Sequence, residues 1–392
     1  MKVLIIGGGA TGSVIAHFLS EAKEVDAILV GDINTRKAKR FLAERSSPKI
    51  ILQQVDATQK DKIAFLAKGF DLLINASLSQ FNKILLDAAL EAGINYQDLA
   101  SKWDNAKVEQ LDFHEKFKAK NLVGLINSSA SPGMTNLVAK LLSLKFDRVD
   151  SIKVRLLENV SSDIPFTAWS KEIAFDEVTQ TPYVWDKNHF VAKDNFGEEE
   201  LFSFPEPFTN RKCYLVSQEE VGTLPLYIKT KYVDLKIGGT EIEFVYTLFK
   251  LGLLRKQLER IGNALISPYE LVTKVWPDVP SPQEMKKLSA SPKFRDAHFW
   301  AGVIVAGISD KKKKVLRADI LFPSQAEANK LLPGSNYISY AAGASAAIFA
   351  LETAKLKEKG VYSPEALDKE AAEAIAERLK KFGVKLEISE AA

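Results

Sequence analysis

Apolar and polar positions follow two rhythms along this chain, and the change between them falls close to residue 130. Before it, short unbroken apolar runs alternate with segments patterned for helices. Val3-Leu4-Ile5-Ile6, Ala27-Ile28-Leu29-Val30, Ile50-Ile51-Leu52, Leu72-Leu73-Ile74 and the stretch 122–126 read as strands, with Tyr96-Gln97-Asp98-Leu99 a shorter one. A run without polar alternation suits a strand covered on both faces. Between these runs, 35–43, 60–68, 81–92 and 104–118 predict helices, the third closed by Gly93. Six strands with helices between them predict an α/β unit over residues 1–129, a doubly wound parallel sheet.

Beyond residue 130 the rhythm shortens. Ile152, Val154 and Leu156 alternate with Lys153 and Arg155, and Val233, Leu235 and Ile237 alternate with Asp234 and Lys236. Alternation predicts a largely antiparallel sheet with one covered face. The stretches 299–308 and 315–322 read as a hairpin around Ser309-Asp310-Lys311-Lys312-Lys313-Lys314, whose lysines suit a solvated tip. Residues 130–339 are therefore expected to form an α+β substrate-binding or dimerisation domain. At its start, Pro132-Gly133 makes a turn, and Thr135 or Asn136 is placed to cap the helix that follows. The tail, 340–392, turns helical again, with the small residues of 341–347 suited to close helix packing. Ser363-Pro364 then opens a second helix that Gly383 closes, and 384–388 is a last strand. The tail is expected to return to the N-terminal unit.

The first strand runs straight into Gly7-Gly8-Gly9-Ala10-Thr11-Gly12 and a helix, and the second strand ends in Gly31-Asp32. A strand, the glycine spacing, a helix and an acid roughly twenty residues on together make the Rossmann-type dinucleotide fingerprint. Gly7 permits the turn, Gly9 lets backbone approach a pyrophosphate, and Gly12 lets the helix pack on the strand. The N–H groups of Ala10 and Thr11 open the helix, where a phosphate is favoured. Asp32 is placed to accept the ribose hydroxyls and to repel a 2′-phosphate. NAD is thus expected, with NADP possible because Arg36 and Lys37 stand nearby. Asp56, ending the third strand, is placed to flank the adenine or to cap a turn. Asn75-Ala76-Ser77, ending the fourth strand with small residues, suits close approach to the inner half of the cofactor.

Composition removes several other classes. Net charge is +3 with 46% hydrophobic and 26% charged residues, so no nucleic-acid field is implied. Cys213 is the single cysteine, and His17, His114, His189 and His298 are scattered, so no metal site is expected. No apolar run is long enough to span a bilayer, and a strand begins at once, so a cytoplasmic protein without a signal peptide is expected. With the cofactor carrying the hard step, the protein must supply orientation and proton transfer. Tyr96 and Asp98 are candidates for substrate binding and proton handling because their strand ends in the expected crevice. Glu220 is a candidate base or ammonium ligand. Lys102, Lys171 and Arg211 are candidate partners for a substrate carboxylate.

Several stretches together resemble the saccharopine dehydrogenase-like family, which includes saccharopine reductase and lysine 6-dehydrogenase. They are the Gly7 to Gly12 turn, Asp71-Leu72-Leu73-Ile74-Asn75 and Ala92-Gly93-Ile94-Asn95-Tyr96-Gln97-Asp98-Leu99. Ser131-Pro132-Gly133, Trp169-Ser170, Glu220-Val221-Gly222-Thr223-Leu224-Pro225 and the tail from Tyr337 to Glu365 continue the series. The resemblance implies NAD(P)-linked hydride transfer at a carbon–nitrogen bond of an amino acid such as lysine or saccharopine, in a homodimer. It places Ser131, Gly133, Trp169, Gln218 and Thr223 on the substrate side. Two positions depart from the family pattern. Saccharopine reductases carry Asp where Ser131 stands, and many members carry histidine where Gln218 stands. A reductase or synthase of carboxylated polyamines resembles the same family, and a non-catalytic NAD-binding sensor is a further alternative.

Overall fold

A computed structural model describes residues 1–45, 47–104 and 107–390. Its first layer is a seven-stranded parallel sheet in the order Gly360–Tyr362, Val123–Leu125, Asn95–Asp98, Leu72–Asn75, Lys2–Ile6, Ala27–Asp32, Ile50–Gln54. The apolar runs of the central strands are buried on both faces, with Val3 to Ile6 at most 2% exposed, whereas Ile50-Ile51-Leu52 forms the edge strand and leaves Ile51 60% exposed. Strand order reverses beside Lys2–Ile6, where Ile6 stands opposite Asn75 on one side and Gly31 on the other. In such sheets the crevice at the reversal, beyond the carboxyl ends of the strands, receives the ligand.

The sheet has one strand more than its first 129 residues supply. Gly360–Tyr362 from the tail pairs in parallel with Val123–Leu125. The tail helix Tyr337–Thr353 lies on the helix Ala10–Glu21, and a Cβ at Gly343 would stand 2.6 Å from the Val14 side chain, so close packing needs the small residue. Gln97 Nε2 donates to the Ala346 carbonyl at 2.8 Å and ties this helix to the sheet.

The second layer is a nine-stranded, mostly antiparallel sheet centred on the long strands Arg148–Ser162 and Phe294–Ser309. One pair in it, Tyr232–Gly238 with Arg148–Ser162, is parallel. The last strand, Lys385–Glu390, adds to this sheet against Lys312–Leu321, so the tail divides between the two sheets.

Four sequence expectations change. The alternating strands are covered on much of their second face as well, because Arg155, Asp234 and Lys236 are enclosed with Glu200 in an ion network, while Lys153 stays exposed. The hairpin turn is only Asp310-Lys311, both with positive φ of 51° and 65°, a geometry that matches strand twist. Lys312 to Lys314 therefore lie in a strand. The helix expected over 104–118 is a short pairing of Trp103–Asp104 with Lys107–Val108, a 3₁₀ turn Glu109–Phe113, and a helix only from His114 to Ala119. The Gln110 side chain, drawn inward to Asp98, interrupts it. The helix expected from Ser363 is a 3₁₀ turn Pro364–Ala366 followed by Lys369–Arg378, because Asp368 starts a new helix by accepting the Ala371 N–H.

Candidate active site

The glycine turn is shaped by close contacts at Gly7, Gly8 and Gly12 and by open space at Gly9. A Cβ at Gly7 would meet the Ala76 carbonyl at 2.6 Å, and one at Gly12 would collide with the Gly7 carbonyl. At Gly9 a Cβ would meet nothing within 4 Å. Gly9 is also the residue before the helix, whose first turn has no side-chain cap, so the N–H groups of Ala10, Thr11 and Gly12 remain available to an anion. Asp32 Oδ2 accepts the Gly8 N–H at 2.8 Å and Oδ1 the Asn34 N–H at 2.7 Å. These bonds fix the carboxylate beside the turn and leave it lone pairs for ribose hydroxyls. Arg36 and Lys37 are exposed on the same side. The residues present thus fit a dinucleotide.

Asp56 keeps its carboxylate in its own turn, accepting from Thr58 N–H at 2.9 Å, Thr58 Oγ1 at 2.7 Å and Gln59 Nε2 at 3.1 Å. Asn75 Oδ1 accepts from the N–H and hydroxyl of Ser77, while its Nδ2 donates to Asn82 Oδ1 at 2.7 Å. Tyr96 is fully enclosed and its hydroxyl donates to the same Asn82 oxygen at 3.1 Å. Tyr96 therefore lies beneath the crevice, steadying the Asn75 loop, with no face open to a substrate in this conformation. Asp98 is 1% exposed, accepts the Asn127 N–H at 2.8 Å and Gln110 Nε2 at 3.3 Å, and burial pushes its carboxyl up to about 7 against those bonds.

The turn after the last of the first six strands brings a second group to the same end of the sheet. Ser131 Oγ and Thr135 Oγ1 both donate to Glu220 Oε1, the latter at 2.7 Å. Gly133, with φ of 130°, opens the helix Met134–Ser143, and its N–H is accepted by Asn136 Oδ1 at 2.9 Å. Asn136 Nδ2 in turn donates to Thr223 Oγ1 at 3.2 Å. The other oxygen of Glu220 has no partner among the described residues. Burial raises its carboxyl, the two hydroxyls hold it down, and the nearby Glu365 raises it again. Glu365, fully enclosed beside Thr223, Ser363 and Asn136, is likewise raised by burial.

Further carboxylates continue outward from this group. Glu219, which opens the helix Glu219–Tyr227, is half-buried and raised to about 8 by burial, by Glu220 and by Asp98. Glu177, on the helix Lys171–Thr179, is raised well above its ordinary value by burial and by Glu158, Glu219 and Glu220. Glu158 is raised to about 8 by burial and by Glu241, and burial raises Glu241 to about 7. No lysine or arginine is among what sets these values. Among the described residues, no three acids, histidines or cysteines are grouped so as to hold a metal ion.

Of the other candidates, Gln218 is buried immediately before Glu219, and Trp169 is half-buried against the core. Lys171 is engaged by Asp278 at 3.0 Å and the Trp276 carbonyl at 3.1 Å, and Arg211 lies over the Phe208 ring at the far sheet edge. Lys102 is exposed just beyond the strand that ends in Asp98. Sequence reasoning passed over Glu158, Glu177, Glu219, Glu241 and Glu365. The tandem Glu219-Glu220 and the acid after Ser363-Pro364 were visible, but nothing local marks the other three.

The sequence profile of the saccharopine dehydrogenase NADP binding domain matches residues 3–125, and that of the saccharopine dehydrogenase C-terminal domain matches residues 129–384. The chain belongs to the saccharopine dehydrogenase family. This saccharopine dehydrogenase-family chain is an NAD(P)-linked oxidoreductase, with residues 3–125 its nucleotide-binding domain. It is 28% identical over 383 residues to carboxyaminopropylagmatine dehydrogenase of Synechocystis sp., covering 94% of this chain and 93% of that one. Its fold matches apo saccharopine dehydrogenase (L-Glu forming) from Saccharomyces cerevisiae with a TM-score of 0.73, at 14% identity over the whole of both chains. It also matches homospermidine synthase from Legionella pneumophila in complex with NAD, with a TM-score of 0.71 at 14% identity, covering 100% of this chain and 91% of that one. Among the described residues of this saccharopine dehydrogenase-family member, no helix is long and apolar enough to cross a membrane.

Proposed function

We propose that this enzyme transfers hydride at a carbon–nitrogen bond of a carboxylated polyamine, an amino acid whose chain carries further ammonium or guanidinium groups. The observation that carries the reading is a series of half-buried carboxylates, Glu219, Glu177, Glu158 and Glu241, leading from the end of the parallel sheet into the second domain. None of them is in an ion pair among the described residues, and none has a cation among the causes of its raised value. Buried like charges disfavour one another, and a substrate with positive nitrogens relieves that cost when it binds. Carboxyaminopropylagmatine, in the name of the Synechocystis relative, combines a carboxyl with a guanidinium. Saccharopine would instead bring several carboxylates to a site already rich in them, which makes it the second reading.

When bound, the nicotinamide accepts or supplies the hydride. The amides of Ala10, Thr11 and Gly12, beside Gly9, would hold the pyrophosphate, and Asp32 would take the ribose hydroxyls, favouring NAD over NADP. Asp56 borders the adenine side, and Asn75, Ala76 and Ser77 border the inner half. In the oxidation the amine N–H proton goes to Glu219, the acid that is half-exposed beside Asp98, as the carbon–nitrogen double bond forms. Asp98 and Glu220 flank it, with Ser131 fixing Glu220 and Tyr96 steadying the loop from below. Gly133, Trp169, Gln218 and Thr223 shape the substrate side, and Lys102 is the cation placed to meet a substrate carboxylate. A cytoplasmic homodimer belongs to the same reading, and light scattering of the purified protein tests the oligomer.

The reaction is tested by following nicotinamide absorbance with carboxylated polyamines, lysine, saccharopine and ornithine, each with NAD and with NADP. Turnover of carboxylated polyamines is expected, faster with NAD. Turnover of lysine or saccharopine alone would replace the substrate, and silence toward all of them with cofactor binding intact would sink the reading. Asp32→Ala should weaken NAD binding about tenfold, the value of a charge-assisted hydrogen bond; unchanged binding would remove Asp32 from the ribose.

A further inference from the structure

The carboxylates do not form one clump. Their mutual influence runs in sequence: Asp98 on Glu219, Glu219 on Glu177, Glu158 on Glu177, and Glu241 on Glu158. The series begins at the end of the parallel sheet and leads into the second domain, on to three elements that do not touch the cofactor turn. Glu158 sits on the strand Arg148–Ser162, on the same face as Ile152, Val154 and Leu156, two residues past the last of them. Glu241 is in the first turn of the helix Thr240–Lys250, whose start packs so closely on that strand that a Cβ at Gly239 would collide with the Glu158 carbonyl. Glu177 comes from the helix Lys171–Thr179, and its Oε1 has no partner among the described residues.

A second observation marks the far end of this series as built for a ligand. Tyr337 is 1% exposed, and among the described residues its hydroxyl has no hydrogen-bond partner. Burial raises the hydroxyl, and Glu241 and Glu158 raise it further, so both carboxylates lie within electrostatic reach of it. Its ring is held by Phe166, 6.3 Å away, and its backbone N–H by Gln325 Oε1 at 3.0 Å. A buried hydroxyl left without a partner is costly unless a bound group supplies one.

We propose that Glu158, Glu177, Glu241 and the Tyr337 hydroxyl form a distal cation subsite that binds the terminal guanidinium or ammonium of the substrate and sets its length. Carboxylates from separate elements surround a multi-donor cation better than a single partner does, and Tyr337 offers its oxygen lone pairs as an additional acceptor. The inference rests on the preceding reading of the reaction, since it assigns the part of that site that holds the far end of the substrate. Its test does not need turnover.

Binding of agmatine and of butylamine to the NAD-loaded enzyme is measured by calorimetry for the native chain and for Glu241→Gln, Glu158→Gln and Tyr337→Phe. Agmatine should bind at least about tenfold more tightly than butylamine, and each glutamine variant should remove most of that difference while leaving butylamine unchanged. Tyr337→Phe should weaken agmatine by a smaller factor. Thermal unfolding of the glutamine variants, unchanged or raised, shows that the loss is not one of folding. Equal affinity for agmatine and butylamine in the native chain, or equal loss of both in the variants, overturns the subsite. Agmatine discrimination in an enzyme that turns over only lysine would overturn the reaction reading and leave the subsite standing.

Discussion

The two faces of the second sheet bury charge in opposite ways. On the face away from the nucleotide domain, Arg155 is fully enclosed and answered on every side: its NH1 and NH2 meet Asp234 at 2.8 and 2.9 Å, and Glu200 takes the rest of the guanidinium. Lys236 Nζ completes the balance at 3.0 Å from Glu200. Phe204, Phe208 and Cys213 pack among the buried residues of that side. On the other face Glu158, Glu177 and Glu241 stand together with no cation contributing. A balanced network is what a fold needs when it must enclose polar groups permanently. An unbalanced one is unfavourable by itself and acquires its balance from something that arrives. The difference is what the proposed subsite predicts, a balanced face as scaffold and an unbalanced one as the place where a cation binds.

The sharpest way to break the comparison is to neutralise one acid on each face. Asp234→Asn leaves Arg155 short of a partner and should cost about 3–5 kcal/mol in urea denaturation. Glu241→Gln relieves repulsion and should cost nothing or stabilise. Equal losses would show that both faces are structural. Next in size, Glu219→Gln should lower turnover roughly a hundredfold or more with stability retained; a fall in melting temperature matching the fall in rate would assign Glu219 to the scaffold.

The two faces should also respond to pH with opposite signs. Glu158 and Glu219 are raised to about 8 and Glu241 to about 7 from an ordinary 4.5. Between those values the folded chain binds more protons than the unfolded one. The stability these acids contribute is complete below pH 4.5 and is lost as pH rises toward about 8. Glu200 is lowered, despite its burial, by Arg155 and Lys236, so its contribution is present above its ordinary value and lost as pH falls. Melting temperatures across this range should fall on the alkaline side, and Glu158→Gln should flatten that limb alone. The smallest expected effect is that of salt. Agmatine affinity should weaken modestly with ionic strength, because the site opens to solvent, whereas unfolding driven by the enclosed Arg155 network should respond less. A larger salt response in unfolding would reverse the comparison.

The sequence made the nucleotide half legible because its signals are local. Four apolar residues running into Gly7, and Asp32 closing the next strand, declare strand, turn and helix within one short stretch. The second domain was harder to read because alternation has the same period whether the polar face meets water or an ion network. Arg155, Asp234 and Lys236 therefore read as solvent-facing when they are enclosed. The acids of the site are dispersed over more than a hundred positions between Asp98 and Glu241, and only the pairing of Arg148–Ser162 with its neighbours brings them together. Glu220 and Ser131 stand out by motif; Glu219, adjacent in sequence and more open to solvent, does not.

The tail gives a strand to each sheet, the Glu365 carboxyl to the space beside Glu220, and Tyr337 to the far end of the acid series. A ribosome delivers these parts last. Until residue 337 has emerged, the helix behind the glycine turn lacks the helix that covers it, the parallel sheet lacks its edge strand, and the acid series lacks its final neighbours. Neither sheet is therefore closed before the tail is in place, and the nucleotide half and the acid series reach their final form together.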